Sequence, residues 1–366
     1  MIYLDNGATS LHKPAGVADA VRRAMFTCAN PGRGGYRQAM AAARTVYRCR
    51  QRAAALFDCE PEQVVFTANC THGLNIAIDT LVKPGDKVAV TGFEHNAVVR
   101  PLHARGAQMI VAGRRLFDWE DTLERFEDAL RQGVRAAVIT HCSNVFGYIL
   151  PLEQMAQLCR QYGVPFAVDA AQSAGTLPVQ LRQLGAAFIA MPGHKGLLGP
   201  QGTGLLLCGA LPQPLIWGGT GSKSISREMP DFLPDRAEAG TVNVPGIAGF
   251  EAGLSYLSRV GVDTIFRAEQ QQAARAARGL EKLGLKVFSG EHQAGTVSFV
   301  PQTDSEEFAE MLAQRDIAVR AGLHCAPLAH ESAGTLKTGT VRVSFGHDAS
   351  SRQTEQLLRA AEACLK

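Results

Sequence analysis

The sequence lacks the features that mark membrane-spanning, secreted and nucleic-acid-binding proteins. None of its apolar runs approaches the ~18 residues of a membrane span. The N-terminus MIYLDNGATS has no basic segment followed by an apolar one, so we expect no signal peptide. No block of lysine and arginine is longer than a pair, and the net charge of the 366 residues is +3. We therefore expect neither a nucleic-acid nor a membrane partner, and the charge balance suits a metabolic enzyme.

Paired cysteines are also absent. The nine cysteines are scattered, odd in number, and never spaced as CxxC. This pattern offers no zinc-ribbon spacing and is typical of reduced thiols in a cytosol rather than of a disulfide framework. We therefore expect a cytoplasmic protein with no metal site. We also expect Cys142, Cys159 and Cys208 to be buried as small hydrophobic side chains.

Short apolar runs recur along the first part of the chain, with helix-length segments between them. Hydrophobic residues make up 46% of the sequence and charged residues 19%, as in an ordinary globular protein. Most runs are continuously apolar, which is typical of strands buried on both faces. The pattern predicts an α/β fold with a mostly parallel seven-stranded sheet sandwiched by helices. The runs are QVVFT (63–67), DKVAVTG (86–92), AQMIVA (107–112), RAAVITH (135–141), VPFAVDA (164–170), AAFIAM (186–191) and TGLLLCG (203–209).

The pattern changes beyond about residue 250. A long helical segment is followed by short runs that alternate between apolar and polar residues, which predicts a smaller α+β domain with an antiparallel sheet. We therefore predict a large domain at residues 1–250, whose first 15 residues can pack with the small domain, and a small domain at 251–366. The segment 218–246 is rich in Gly, Pro and Ser, and a loop of that length is typically functional or interfacial.

Polar residues follow five of the seven predicted strands. Ligands of open α/β sheets bind beyond the carboxyl ends of the strands, so these residues are candidates for one site. Each also has a structural interpretation: Asp169 and Thr71 can cap helices, His95 and His141 can be satisfied core or rim side chains, and Lys195 can be a solvated loop residue. The combination is hard to obtain from packing alone.

This combination suits catalysis with pyridoxal 5'-phosphate (PLP). PLP needs a lysine for a Schiff base and an acidic residue to keep its ring nitrogen protonated. It also needs a phosphate site, which a helix N-terminus supplies, and commonly a ring over the pyridine. Asp169 and Lys195 lie 26 residues apart, one strand–helix–strand unit, which predicts adjacent positions at the sheet edge. Thr71 suits the phosphate and His95 the stacked ring.

The sequence resembles the class V, fold-type I PLP enzymes, and specifically the group II cysteine desulfurases, a family that includes selenocysteine lyases. The resemblance covers essentially the whole chain. Its motifs are YLDNGAT at the start, NPGR (30–33), FTANCTHGLNIAI, EHNAV, THCSNVFG, VDAAQSAG, PGHKGLLGPQGTG, EAGTVN (238–243), RAGLHCAPLAH and GTVRVSFG.

The resemblance implies a role for each residue at the strand ends. Lys195 would form the Schiff base and later move the Cα proton of the substrate. Asp169 would pair with the pyridinium nitrogen, Gln172 would bond the ring hydroxyl, and His95 would stack on the ring and assist protonation. The phosphate site would comprise Cys70 through its backbone, Thr71, His194 and, from a partner subunit, Thr220.

The resemblance also implies a substrate site and a nucleophile. Asn144 and Arg342 would bind the substrate carboxylate, with Arg320 nearby. The Cys325 thiolate would attack the substrate sulfur, giving an enzyme persulfide and alanine. The implied partners are L-cysteine or L-selenocysteine, a second copy in a homodimer with the active site near the subunit interface, and a sulfur-acceptor protein, as in iron–sulfur cluster assembly.

Three positions depart from the family pattern. Pro192 stands where a serine often precedes Gly-His-Lys, Cys70 stands where a small or polar residue is common, and Gly7 replaces an alanine. None of these changes removes a catalytic group, but they bear on cofactor affinity and on the exact substrate.

Two alternatives remain open at this point. An aminotransferase or another class V lyase would share Lys195 and Asp169 but would not require Cys325. A non-catalytic sulfur carrier on a degenerate PLP scaffold would require none of these groups to be intact.

Overall fold

The computed structural model describes residues 1–32 and 34–366, and its largest sheet has seven strands. Six strands point in the same direction, and the seventh, Gly204–Cys208, runs opposite to both of its neighbours. Each strand coincides with one of the predicted apolar runs, so the mostly parallel seven-stranded sheet is confirmed. With strands numbered along the chain, the order across the sheet is β2 (Val64–Thr67), β8 (Gly204–Cys208), β7 (Phe188–Pro192), β6 (Phe166–Asp169), β5 (Ala136–Thr140), β3 (Lys87–Thr91) and β4 (Gln108–Ala112).

Helices cover both faces of this sheet. Neighbouring residues of a strand point to opposite faces, so Ala137 and Ile139 of β5 pack into one core, and Ala136 and Val138 into the other. Burial on both sides explains why the runs are continuously apolar. The first face carries α2 (Arg37–Phe57), α5 (Trp119–Arg131), α6 (Leu152–Gln161), α7 (Leu181–Leu184) and α8 (Val244–Val260). Helix α1 (Ala15–Thr27) packs on α2 and α8. The second face carries α3 (Cys70–Leu81) and α4 (Asn96–Ala104).

The C-terminal part forms a separate antiparallel sheet of four strands, which confirms the smaller α+β unit. Its core is a third hydrophobic cluster between this sheet and three helices. The strand order is β12 (Arg320–Gly322), β13 (Thr340–Ser344), β10 (Thr296–Val300) and β9 (Lys286–Phe288), and the helices of this region are α9 (Val262–Lys282), α10 (Ser305–Ala313), α11 (Pro327–Ala333) and α12 (Ser351–Cys364).

The N-terminal segment joins the C-terminal part of the chain. Strand β1 (Ile2–Tyr3) pairs in parallel with β11 (Ile317–Ala318), and Asp5 forms a bridge with Ser344 at the end of β13. The expected boundary after residue 250 falls within α8, which packs on α1 and α2, and the domain division stays a prediction. Among the described helices, none is both long and apolar enough to cross a membrane.

Candidate active site

A cavity lies at the carboxyl ends of the parallel strands, where small-molecule sites of open α/β sheets form. The structure therefore brings together most of the residues that the sequence singled out. The predicted residues that line the cavity are Cys70, Thr71, His95, Asn144, Asp169, Gln172, His194 and Lys195.

Lys195 lies in the turn after β7 and has an unpartnered amine. Its Nζ atom makes no hydrogen bond or ion pair with the described residues. Burial lowers the pKa of Lys195, and the Arg342 charge lowers it further against the opposing effect of Asp169. A lowered pKa favours the neutral amine, which is the nucleophilic form. Such an amine can attack an aldehyde.

Asp169 ends β6 with its side chain 3% exposed. Its Oδ1 accepts hydrogen bonds from the Ala171 N–H at 2.9 Å and from the Cys70 thiol at 3.4 Å. Its Oδ2 has no hydrogen-bond partner among the described residues. The fixed carboxylate, with one oxygen to spare, can bind a protonated ring nitrogen.

Cys70 acts as a hydrogen-bond donor in this arrangement. Burial raises the pKa of its thiol well above the ordinary value, and the negative charge of Asp169 raises it further. The thiol therefore keeps its proton and donates it to the carboxylate. The resemblance implies a phosphate contact through the backbone of Cys70, and the structure adds that its side chain supports Asp169.

Removing this donor should weaken cofactor binding. We expect Cys70→Ala to bind PLP at least about fivefold less tightly, since one hydrogen bond to a charged group contributes about 1–3 kcal/mol. Cys70→Ser keeps a donor and should bind within about twofold of the unchanged protein. An absorbance titration of the apoprotein with PLP measures both constants. Cys208→Ala, a buried thiol outside the cavity, is the control; equal weakening there would contradict a specific role for Cys70.

The N-terminus of α3 opens onto the cavity. Asn69 caps the helix, because its Oδ1 accepts from the His72 N–H at 2.9 Å. The N–H groups of Cys70 and Thr71 have no acceptor among the described residues, as expected in the first turn of a helix. Free N–H groups and the helix dipole favour an anion here, so this end of the cavity can hold a phosphate.

His194 supplies a neutral ring at the same cavity. Its Nδ1 lies 3.1 Å from the Thr9 hydroxyl. Burial, together with the charges of Lys195 and Lys13, lowers the pKa of His194 to about 4. Near neutral pH it can therefore donate or accept one hydrogen bond but adds no positive charge.

His95 caps α4, and this contact fixes its tautomer. Its Nδ1 accepts a hydrogen bond from the Ala97 N–H at 2.9 Å. Burial lowers the pKa of His95, so the ring is neutral and carries its proton on Nε2. The ring lines the cavity with a donor available at Nε2.

Glu94 is a buried acid next to His95 that the sequence interpretation missed. Its Oε1 accepts from the Thr91 hydroxyl at 2.7 Å, the Thr91 N–H at 3.2 Å and the Thr140 N–H at 2.9 Å, which ties the ends of β3 and β5 together. Burial raises the pKa of Glu94 to about 8. A glutamate directly before His95 in EHNAV was the available signal, since a charged residue at the end of an apolar run must find buried partners.

Cys325 is exposed on the loop between β12 and α11, whose neighbouring residues His324 and Ala326 are buried. Its carbonyl oxygen accepts from the Asn96 N–H at the start of α4 at 2.8 Å, and the Asn144 amide donates to the His324 carbonyl at 2.8 Å. His324 and Cys325 have φ values of 48° and 55°, which residues other than glycine seldom adopt. Two hydrogen bonds thus hold a strained loop beside His95 and Asn144, although Cys325 itself is not among the cavity-lining residues.

The two predicted arginines lie on neighbouring strands, and neither is among the residues that line the cavity. Arg342 of β13 is 2% exposed and donates from Nη1 to the Asn144 carbonyl at 3.0 Å. Arg320 of β12 stands opposite it in register. Both guanidinium groups contact Asp5, a residue of the YLDNGAT motif to which sequence analysis gave no role.

Thr220 is the one predicted cofactor residue that the structure does not bring to Lys195 within one chain. It lines a separate groove that includes Asn30, Tyr47 and Arg50, and its hydroxyl lies 3.2 Å from the Ser222 hydroxyl. Among residues 1–32 and 34–366, no group of three or more His, Cys, Asp or Glu side chains is arranged to hold a metal ion.

A second cavity shares Lys195, Gln172 and Cys142 with the first and is also lined by Glu269 of α9 and His347. Glu269 is 7% exposed and makes no hydrogen bond or ion pair with the described residues. Burial raises its pKa to about 8, and the charge of Asp348 contributes to the rise. Sequence analysis could not find Glu269, because it lies in a helix of ordinary charged composition.

This buried acid should make stability fall with rising pH. The folded protein keeps the Glu269 proton up to about pH 8, whereas the unfolded chain loses it near pH 4.5, so the cost grows between these values, at most by roughly 1.4 kcal/mol per pH unit. We expect Glu269→Gln to be more stable than the unchanged protein at pH 7.5 and nearly equal at pH 4.5. Urea unfolding at several pH values measures the difference, and a gap independent of pH would contradict the assignment.

The sequence matches the family model described as Aminotransferase class-V over residues 2–357. It is 33% identical to a curated protein named probable cysteine desulfurase from Pyrococcus abyssi (strain GE5 / Orsay), over 100% of this chain and 94% of the relative. The apo structure of a cysteine desulfurase from Thermococcus onnurineus NA1 has a TM-score of 0.89 at 32% identity, covering 99% of this chain and 94% of that one. The S-sulfonic acid form of the cysteine desulfurase CsdA from Escherichia coli has a TM-score of 0.83 at 25% identity, covering 100% and 94%.

Proposed function

The chain belongs to the class-V aminotransferase family, and we propose that it is a PLP-dependent cysteine desulfurase that converts L-cysteine to L-alanine and leaves a persulfide on Cys325. One observation carries the proposal. The unpartnered amine of Lys195 and the fixed carboxylate of Asp169 share one cavity, and the loop of an exposed cysteine is hydrogen-bonded to that cavity's Asn144 and to the start of α4. The names of the relatives support the substrate and the reaction.

The residues of the cavity fit PLP. Lys195 would hold it covalently, Asp169 would pair with its ring nitrogen through the free Oδ2, and His95 would stack on its ring. Gln172 donates its amide to the Gly7 carbonyl at 2.9 Å and so offers its own carbonyl oxygen to the ring hydroxyl. The phosphate would lie at the N-terminus of α3, near Thr71 and His194. When bound, PLP withdraws electrons from the Cα of an attached amino acid.

The chain's own residues account for the proton and sulfur steps. The Lys195 amine takes the Cα proton of the substrate, and the Nε2–H of His95 serves as a second proton donor. Cys325, as its thiolate, forms a bond to the substrate sulfur. The Cβ–S bond breaks, and its electron pair stays with Cβ, which takes a proton to become the methyl group of alanine. No external oxidant or reductant is required.

Asn144 links the substrate site to the nucleophile. Its side chain holds the Cys325 loop, and its carbonyl oxygen receives the buried Arg342. A substrate carboxylate bound by Arg342 and Asn144 would therefore lie against the segment that carries Cys325. The orientation of the substrate and the orientation of the nucleophile therefore depend on the same residue, Asn144.

The groove that contains Thr220 supports a homodimer with the active site near the subunit interface. Tyr47 lines this groove and is 49% exposed, and Trp217, two residues before the lining residue Gly219, is 68% exposed. Exposed large apolar side chains at a groove are typical of protein interfaces. A second copy would bury them and bring its Thr220 to the phosphate. Light scattering of the PLP-loaded protein should give twice the chain mass of 39.1 kDa, and a monomer at micromolar concentration would contradict this part of the proposal.

An exposed Cys325 also supports transfer of its sulfur to an acceptor protein. A persulfide on the exposed Cys325 can be reached by a thiol of another protein without opening the cavity. Cytoplasmic location and a part in iron–sulfur cluster assembly are proposed on the same basis, together with the reduced, unpaired cysteines among the described residues.

Product analysis with two substrates tests the proposed function. The PLP-loaded protein is incubated with L-cysteine or L-selenocysteine, and alanine, sulfide, selenide and protein-bound persulfide are quantified. We expect one alanine for each sulfur removed from L-cysteine, with the persulfide mapped to Cys325. Alanine from neither amino acid would refute the proposal. Alanine from selenocysteine alone would establish a selenocysteine lyase instead, and a keto acid product would establish an aminotransferase.

A further inference from the structure

Asp5 lies between the two arginines of the proposed substrate site. Its Oδ1 accepts from Arg342 Nη2 at 2.7 Å, and its Oδ2 accepts from Arg320 Nη2 at 2.8 Å and Nε at 3.0 Å. Asp5 is 7% exposed. Among the described residues it is the only carboxylate that pairs with either arginine. One buried acid therefore fixes the position of both guanidinium groups.

The cluster contains two positive charges and one negative charge. Arg320 is about half exposed and can be solvated, but Arg342 is not. Arg342 uses donors on Nη1 and Nη2 for Asn144 and Asp5, and its buried Nε has no hydrogen-bond partner. Buried donors of a charged group are nearly always satisfied, because an unpaired one costs several kcal/mol. The cluster therefore lacks one hydrogen-bond acceptor, for the Nε of Arg342.

Gly7 allows this close arrangement. A Cβ atom at residue 7 would lie 3.2 Å from the Arg342 Cζ and 3.2 Å from the Ser344 hydroxyl, so a larger residue would press on the guanidinium. The Gly7 N–H donates to that hydroxyl at 2.8 Å, and its carbonyl accepts from Gln172 of the cofactor cavity. The segment 5–7 therefore joins the arginine cluster to the cavity.

We propose that Asp5 is a positioning residue for substrate recognition. Asp5 holds Arg342 against Asn144 and leaves the Nε donor of Arg342 unpaired. The carboxylate of an amino acid then supplies the missing acceptor. Asp5 thereby selects amines that carry a carboxylate over amines that do not. This inference rests on the proposed function, since it concerns the amino-acid site of the same cavity.

The selection can be measured without any C–S cleavage. The PLP-loaded protein is titrated with L-alanine and with ethylamine, which differ by the carboxylate, and the visible absorbance of the bound cofactor reports binding. For Asp5→Ala we expect the affinity for L-alanine to fall about tenfold or more, the effect of losing one charged contact, with ethylamine affinity unchanged within about twofold. Asp5→Asn, which keeps the size and one acceptor oxygen, should lie between Asp5→Ala and the unchanged protein.

Control variants keep the outcome decisive. Glu355→Gln removes the carboxylate of a surface pair with Arg275, 2.8 Å long, and should alter neither affinity. Equal losses for both ligands, or no loss for L-alanine, would overturn the positioning role. If Asp5→Ala does not fold, the affinities of Asp5→Asn for L-alanine and for ethylamine are compared in the same way. Absence of L-cysteine turnover in a protein that still prefers L-alanine would refute the desulfurase proposal and leave this inference standing, and failure to bind PLP would overturn both.

Discussion

Cys325→Ala is expected to lower alanine formation from L-cysteine by on the order of 10³-fold or more, because removing a nucleophile abolishes the covalent route. The substrate sulfur would then have no acceptor while its bond to Cβ breaks. Since Cys325 is exposed and not among the cavity-lining residues, the variant should fold and bind PLP normally. Alanine assays and the visible absorbance of the loaded protein measure the two effects separately.

The matched control for this variant is Cys364→Ala, a partly exposed cysteine of α12 remote from the proposed site. It should keep full activity. L-selenocysteine adds a second arm, because selenium can leave without help from a thiol. Alanine formation from L-selenocysteine that survives in Cys325→Ala would agree with the mechanism, whereas full sulfur removal from L-cysteine would show that Cys325 is not the nucleophile.

Lys195→Ala is expected to lower alanine formation from L-cysteine by a similar factor, through loss of the amine instead of the thiol. Loss of the amine removes both the covalent hold on PLP and the base for the Cα proton, and general base catalysis alone contributes roughly 10²–10⁴-fold. Among the described residues no other lysine lines the cavity, so none can take its place. Alanine formation should be lost, and the visible absorbance of the bound cofactor should be lost or shifted.

Lys87→Ala, at an exposed position of β3, provides the comparison for Lys195→Ala. It should change neither the absorbance nor the rate. A Lys195→Ala protein that still releases alanine at more than a few per cent of the original rate would contradict the assignment. PLP that remains bound but without the covalent absorbance would, in contrast, agree with it, since Asp169 and the α3 N-terminus are intact.

Local sequence pattern was enough to predict the large sheet and the convergence of polar residues at its edge. Continuous apolar runs identify strands buried on both faces, and parallel strands must place their carboxyl ends together. Thr71, His95, Asp169 and Lys195 therefore line one cavity. The roles of these residues in catalysis stay predictions until the variants are measured.

The contacts that the sequence could not reveal are those between distant segments. Asp5 and Arg342 are 337 residues apart, and Cys70 and Asp169 are 99 apart. No periodicity encodes which buried acid meets which base, because pairing depends on how strands of two sheets are brought together. Glu269 was missed for the same reason: its cavity is formed by α9 together with Cys142, Gln172 and Lys195, which follow strands of the large sheet.

The bond between Asp5 and Arg342 also sets an order of events during synthesis. A ribosome makes residue 5 first, and nearly the whole chain must follow before its guanidinium partner emerges. Until then β1 has no strand to pair with, because β11 is also made late. Closing so long a loop is entropically costly and slow. The strand ends that carry Asp169 and Lys195 can form earlier. The ion pairs of Arg320 and Arg342 with Asp5 form only when synthesis of the chain is nearly finished. A chain released early would thus carry the groups for PLP but lack its arginine cluster.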